Sequence, residues 1–406
     1  MPGVTKHIFD ADIRNILSMW NKELKAIKML LPQHYQKQDI IALLQKYFPH
    51  EWNGVKAKYV YYTQKDCFLK KRKGKPRYNM KTPEDMLDDV PLFRKLIQPE
   101  ERATYASSYS SAVAEAAERE LWIKRSPKII RINKKIEHAK EKTQQMTPEF
   151  IDTLIGLYER KETSQKDRVY LIHELEKYYN ERVIQFFFKL NDTELNEQLR
   201  REAFEYLQRF NFQPRLRSTK YMQVHTKNKK RKQYLKKVYP YEKYEIEGSP
   251  EELEYRINNY AKEQRIKEFD FFISHSYKDS AAVQKLIVEE NTHGKNVFCD
   301  WINDADYLKR TLVCDATLRV IETRMQQSAA LLYVDSEHSR ASKWCKYELN
   351  YYHSLGKPIM TISKEDIEKD KFIIAPLPDS WFIDPDYKNV VLIPQAAQIS
   401  ALPAER

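Results

Sequence analysis

Glycine and cysteine are scarce in this chain, with 7 and 4 among 406 residues, and no stretch approaches the roughly 20 consecutive apolar residues that a membrane span requires. The lack of such a run excludes a bilayer-spanning helix. The start, Met1-Pro-Gly-Val-Thr-Lys-His, lacks the apolar centre of a signal peptide, so the expectation is a soluble, cytoplasmic protein without a membrane partner. The four cysteines (Cys67, Cys299, Cys314 and Cys345) have no metal-ligand spacing; they read as reduced thiols, and no metal is expected. Cys345 has no histidine close by in sequence to activate it as a nucleophile.

Acid is short where base is plentiful. The first 265 residues hold 53 Lys and Arg against 37 Asp and Glu, a net +16, whereas residues 266–406 hold 17 against 21. The length allows two or three domains. Three segments are expected: a basic helical region over 1–140, a helical bundle or HEAT-like segment over 141–265, and an α/β domain over 266–406.

In the first segment, Ile13, Leu17, Trp20, Leu24 and Ile27 recur at helical spacing up to Pro32, and a second helix covers Asp39 to Phe48. The aromatic, β-branched run Val55 to Leu69 reads as extended chain leading into a basic loop, Lys70 to Arg77. A helix pair with a basic hairpin matches a winged-helix module in outline, without a recognition-helix signature. Thr82-Pro83-Glu84-Asp85 and Thr147-Pro148-Glu149 carry helix-start chemistry, and Glu100 to Lys124 reads as one longer helix.

Successive short helices between Lys166 and Phe210 fit an irregular bundle better than a counted repeat. Arg215 to Lys237 then holds ten Lys or Arg and no acid, among them Lys227, Lys229, Lys230, Arg231 and Lys232, interleaved with Tyr221, His225 and Tyr234. Such a cluster can neutralise several phosphates while its rings stack on bases; a solvated linker is the plainer reading. Ser249-Pro250-Glu251-Glu252 starts a helix that should run to about Lys267 and straight into the next strand.

From residue 269 strands and helices alternate. Phe269 to Ile273, Asn296 to Trp301, Ala329 to Val334 and Lys357 to Ile362 read as strands, with Val390 to Ile393 as a fifth; helices start near Asp279, Leu312 and Trp344. This pattern implies a parallel sheet covered on both faces. With flavodoxin-like strand order, the ligand crevice lies where the order reverses, between Ser274–Lys278 after the first strand and Asp335–Glu348 after the third.

Four motifs, Asp270-Phe-Phe-Ile-Ser-His-Ser-Tyr-Lys-Asp279, Val297-Phe-Cys-Asp-Trp301, Arg324-Met-Gln-Gln-Ser328 and Ser342-Lys-Trp-Cys-Lys-Tyr-Glu-Leu349, together resemble the bacterial Toll/interleukin-1 receptor (TIR) domain. The resemblance implies a flavodoxin-like α/β domain with a parallel five-stranded sheet, preceded by a mainly α-helical region. It also implies cleavage of NAD+ at the bond joining nicotinamide to ribose, with NAD+ as substrate and no resident cofactor. By the Trp-Cys-x-x-Glu match Glu348 is the catalytic glutamate, and Ser274, His275, Ser276, Tyr277, Lys278 and Trp344 are candidates for substrate contact, although Trp344 also suits packing.

Departing nicotinamide leaves an oxocarbenium-like ribose that a carboxylate stabilises. Nicotinamide carries its own positive ring nitrogen and needs no acid to protonate it. The loop from Asp300 to Leu308 lacks the proline and glycine of the adaptor signature, which disfavours receptor-adaptor signalling. In enzymatic relatives this loop gates the pocket and mediates stacking of TIR domains, roles that would fall to Asp304, Asp306, Tyr307 and Arg310. The expected function is an anti-phage effector of abortive infection that self-associates through TIR domains, with a phage-derived or nucleic-acid trigger acting on the helical region, and yields ADP-ribose or a cyclic ADP-ribose product. A non-enzymatic TIR scaffold and a TIR protein that binds or processes nucleic acid stay open as alternatives.

Overall fold

The computed structural model describes residues 4–144, 146–212, 241–308 and 314–378. The described residues form two compact units, one drawn from Met1–Lys142 with Val183–Lys243 and the other from Thr143–Arg182 with Tyr244–Arg406. The segment 141–265 is therefore divided between them. Of its described residues, 143–182 and 244–265 belong with the sheet, and 183–212 belong with the N-terminal helices.

The first unit is helical. Trp20, Leu24, Ile27 and Leu31 are buried along and just beyond the helix Val4–Ile27, and Trp20 meets Trp52 with ring centroids 5.9 Å apart. The run from Val55 to Leu69, expected as extended chain, lies inside the helix Pro49–Lys73. Pro49 suits its first turn, and Trp52, Val55, Tyr62 and Asp66 are buried at helical spacing. Gly74, at φ 75°, closes it by donating its N–H to the Lys70 carbonyl. Burial of one aromatic stripe outweighed the strand propensity of the individual residues. Lys70 to Lys73 form the last helical turn, where the negative end of the macrodipole favours cations, so the hairpin needed for a winged-helix module does not exist.

The expected single helix over Glu100 to Lys124 is two, Pro99–Ser108 and Ser111–Glu141. Ser107 and Ser108 direct their hydroxyls to the Thr104 carbonyl at 2.8 and 3.1 Å, and Tyr109 is extended, so the serine-rich run ends one helix and starts the next.

The second unit is built on five strands, β1 (Phe269–Ser274), β2 (Val297–Phe298), β3 (Ser328–Asp335), β4 (Ile359–Ser363) and β5 (Ala375–Pro376), in the order β2-β1-β3-β4-β5. The first four are parallel, whereas β5 runs antiparallel to β4. The order reverses at β1 and β3, as expected for a flavodoxin-like sheet. The expected strand Val390 to Ile393 lies outside the described residues.

The core on one face joins Phe271, Ile273, Val283, Leu286, Val297, Leu332, Val334 and Ile362. Burial of each such aliphatic or aromatic side chain contributes about 1.5–3 kcal/mol before entropy is counted. The second strand is shorter than expected because the chain turns at Cys299 into the helix Asp300–Asn303. There Asn303 Oδ1 accepts the Cys299 N–H at 2.7 Å and closes the turn.

The helix entering β1 is also interrupted. It runs from Pro250 to Asn258; Tyr260 then takes φ 51°, and a short turn Lys262–Arg265 follows. Arg256 pairs with Glu263 across the break at 2.6 and 2.9 Å, both buried, and the Arg256 guanidinium lies 3.4 Å from the centroid of the Tyr170 ring. The connection is a bent, clamped elbow instead of one straight helix.

Two further helices of this unit, Pro148–Glu159 and Gln165–Leu175, come from well before the sheet in sequence. Their flanks reach the β2 edge. Thr147 N–H donates to Asn296 Oδ1 at 3.0 Å, and Lys177 Nζ donates to the Asn303 carbonyl at 3.0 Å.

Candidate active site

Ser274 is the last residue of β1, and its position at the carboxyl end of a central parallel strand aims its hydroxyl into the crevice where strand order reverses. Glu348 projects from the helix Lys343–Ser354, which begins where Ser342 Oγ caps the Cys345 N–H at 3.3 Å. The two meet: Ser274 Oγ donates to Glu348 Oε2 at 2.6 Å, and Glu348 is only 5% exposed.

Burial pushes the Glu348 carboxyl well above the usual carboxylate range, the negative charge of Asp300 pushes it further, and the Ser274 hydroxyl pulls the other way. Among the described residues no cation is paired with Glu348, which sets it apart from the structural carboxylates of this unit. The surface pairing with Lys343 or Lys346 that its helix position would allow is not made, because the side chain points inward.

Two thiols flank this carboxylate. Burial, and next the proximity of Glu348, raise Cys345 to about 12. Cys299, fully buried, is raised well above its usual value by burial and by Asp300 and Glu348. Neither is held as a thiolate, so neither is poised as a nucleophile.

The remaining candidates separate into groups. His275 is half-buried just past the end of β1, where the Trp301 indole N–H donates to its Nε2 and Cys299 Sγ lies 3.9 Å away. Ser276 is buried and caps the turn Tyr277–Asp279, while Tyr277 and Lys278 are exposed. Trp344 is half-buried and packs edge-on against Tyr347 at 6.5 Å between ring centroids.

Asp304 and Tyr307, expected on a loop offered to another copy, are instead buried within the unit. Asp304 is 0% exposed and accepts from Arg324 Nε at 2.7 Å and Lys267 Nζ at 3.3 Å. Tyr307 packs against His173, with ring centroids 6.3 Å apart, and Asp306 pairs with His173 and Lys177, each at 3.3 Å. The helix Gln165–Leu175 and the turn after it cover this loop, which explains why Asp304 and Tyr307 face inward, whereas Asp306 stays exposed at its rim. Arg310 lies outside the described residues, as do Lys227, Lys229, Lys230, Arg231 and Lys232.

Asp300, whose charge acts on Glu348, and Trp301, bonded to His275, join the site although the motif match assigns neither a role. The signal available was their place directly after β2, the strand beside β1, whose carboxyl end opens on the same crevice.

A buried, hydroxyl-bonded carboxylate with a second carboxylate nearby suits a substrate that brings or develops positive charge. The family model described as "Thoeris protein ThsB, TIR-like domain" matches residues 272–369, which contain this crevice. Over 368 residues, 90% of this chain and 93% of the relative, the chain is 32% identical to the Cytobacillus dafuensis protein named "Putative cyclic ADP-D-ribose synthase TIR2". It is 32% identical over 119 residues, 28% of this chain and 60% of the relative, to "Probable 3' cyclic ADP-D-ribose synthase ThsB'" of Bacillus cereus (strain MSX-D12). Toll-like receptor 2 of Bos taurus is 33% identical over 85 residues, 21% of this chain and 10% of the receptor. No solved structure matches.

Proposed function

The chain belongs to the family of the Cytobacillus dafuensis TIR2 protein, and from that premise we propose that it cleaves NAD+ at the nicotinamide–ribose bond, with Glu348 as the catalytic carboxylate, and releases a cyclic ADP-ribose product. The observation that carries the reading is the buried Glu348 carboxyl held by Ser274 at the switch point of the sheet, with no cation paired to it among the described residues. Burial and the charge of Asp300 shift a carboxyl so placed toward its protonated form. The cationic nicotinamide ring, and then the oxocarbenium-like C1′, reverse that balance and draw the proton off, so the negative charge is strongest when C1′ most needs it.

The step balances without a protein acid. The C1′–N bond breaks with its electron pair leaving on neutral nicotinamide, and a nucleophile takes C1′ with loss of one proton. Capture by water gives ADP-ribose; capture by a group within the ADP-ribose portion gives a cycle. The names of the two cyclic ADP-D-ribose synthase relatives support the second outcome. Ser274 orients the carboxylate, and His275 and Trp301 line the side of the crevice toward β2.

In the cell this activity would serve anti-phage defence, in keeping with the Thoeris family description, with the helical unit receiving the trigger and TIR domains associating on activation. The test is chromatography and mass spectrometry of NAD+ incubated with purified chain, wild type beside Glu348→Gln, with and without phage lysate. Nicotinamide together with a cyclic product from wild type alone supports the proposal. Nicotinamide with linear ADP-ribose alone removes the cyclic product and leaves the cleavage.

A further inference from the structure

We propose that His275, Cys299 and Asp300 form a binding site for a zinc-type divalent cation beside Glu348, and that the bound ion shuts off NAD+ cleavage. The inhibitory part rests on the reading of Glu348 above, whereas the binding part stands without it.

The three donors come from two neighbouring strand ends. Phe272 of β1 pairs with Phe298 of β2, which sets Ile273 level with Cys299; His275 follows two residues on, past the end of β1, with its ring beside the Cys299 sulfur, and Asp300 opens the next helix. One donor atom from each lies within 4.8 Å of the other two, and His275 Nε2 is 3.9 Å from Cys299 Sγ. Zinc binds sulfur at about 2.3 Å and imidazole nitrogen at about 2.0 Å, which places tetrahedral donors about 3.5 Å apart. The pair needs a shift of only a few tenths of an ångström. Thiolate, imidazole and carboxylate together form a donor set that selects zinc over the oxygen-seeking magnesium and calcium.

The surroundings hold the ligands in place. The Ile273 carbonyl lies 3.4 Å from His275 Nδ1, which leaves the Nε2 lone pair facing the cluster, and Asn303 Oδ1 fixes the Cys299 backbone at 2.7 Å. Three protein ligands leave a fourth position open to water or substrate. On binding, the Cys299 thiol loses its proton to solvent as the zinc–sulfur bond forms, and no electron is transferred. The Trp301 indole N–H, which donates to Nε2, must turn aside. A dication here would claim the carboxylates that favour positive charge at C1′ and repel the cationic ring, and both effects oppose cleavage.

The experiment is cobalt and zinc titration of the full chain, with the thiolate-to-cobalt charge-transfer band as readout and nicotinamide release in parallel. Wild type should take up one cobalt per chain with that band and lose it to zinc. Nicotinamide release should fall about tenfold or more at zinc saturation and recover with EDTA. Cys299→Ser should show no band and release nicotinamide at a rate that zinc does not change. Cys67→Ser, which removes the exposed thiol, should behave as wild type. Trp301→Phe, which removes the competing N–H, should bind zinc more tightly.

A band that survives in Cys299→Ser, or vanishes in Cys67→Ser, overturns the proposal. If circular dichroism shows that Cys299→Ser does not fold, the Trp301→Phe titration decides: unchanged or weaker affinity overturns it. Should the chain release no nicotinamide under any condition, the cobalt band still decides the binding claim.

Discussion

Replacing Asp304 with asparagine should be among the most destabilising single changes in the sheet unit. Asp304 and Arg324 are both 0% exposed and paired at 2.7 Å. Around them Lys267, Glu174, Lys177 and Asp306 complete a set of three acids and three bases, with Lys267 3.2 Å from Glu174 and Lys177 3.2 Å from Glu174. Asp304→Asn keeps the shape and removes one charge, which leaves Arg324 and Lys267 in excess where water does not reach. Breaking a buried pair by removing one partner costs about 3–5 kcal/mol. For a unit of this size, each kcal/mol corresponds to about 2–4 °C, so its calorimetric transition should fall by about 10 °C.

Scanning calorimetry of the full chain measures this, with Arg324→Met identifying the transition that belongs to the sheet unit. The double variant Asp304→Leu, Arg324→Met should recover most of the loss, because an apolar pair carries no uncompensated charge. A melting temperature within about 2 °C of wild type in Asp304→Asn would refute the reasoning.

The same network predicts acid lability. Burial raises the Glu174 carboxyl, but Lys177 and Lys267 outweigh it and hold the group down to about 2. A carboxyl depressed on folding contributes stability that is full above its unfolded value near 4.5 and is lost as pH falls toward 2, here about 3 kcal/mol. About 2 kcal/mol of this should be lost between pH 6 and pH 3, seen as a falling urea midpoint; midpoints that hold steady would contradict it. Ser274→Ala should lower nicotinamide release about tenfold and move its rise to higher pH, because the lost hydroxyl favoured the ionised Glu348 that cleavage needs; a lowered rate with an unmoved profile would assign Ser274 a packing role. Gly248→Ala should cost about 1–2 kcal/mol in thermal melts, since φ is +67° and a Cβ would meet the Asp306 carbonyl oxygen at 3.1 Å. Gly156→Ala, in a helix with nothing within 4 Å of the added carbon, should instead stabilise by about 0.5–1 kcal/mol.

The sheet and its crevice were legible because β1, β2 and β3 are short, mostly apolar and largely buried runs, and because punctuation such as Ser274-His275-Ser276 and Ser342 marks strand ends and helix starts. That Ser274 and Glu348 share one crevice followed from the strand order; the hydrogen bond between them, and the choice of Glu348 among the residues there, did not. The helix Pro49–Lys73 was not legible, since a tyrosine- and valine-rich run has strand propensity, and only burial against the rest of its unit decides the matter. The inward turn of Asp304 and Tyr307 was hidden for a related reason. Their partners His173, Lys177 and Lys267 lie 37 to more than 130 residues away in sequence, and a loop read by itself gives no sign of the helix that covers it. The roles of Asp300 and Trp301 required knowing that β2 stops at Phe298.

The most direct test of the central claim is nicotinamide release from NAD+ by the purified full chain, wild type beside Glu348→Gln, at low and high protein concentration and with phage lysate added. Release by wild type that rises with concentration or lysate, and falls about a hundredfold or more in Glu348→Gln while that variant folds and melts at least as high as wild type, is the predicted result. Equal release by both proteins would contradict the role given to Glu348, and absence of release by folded, associating wild type under every condition would contradict the enzymatic account itself.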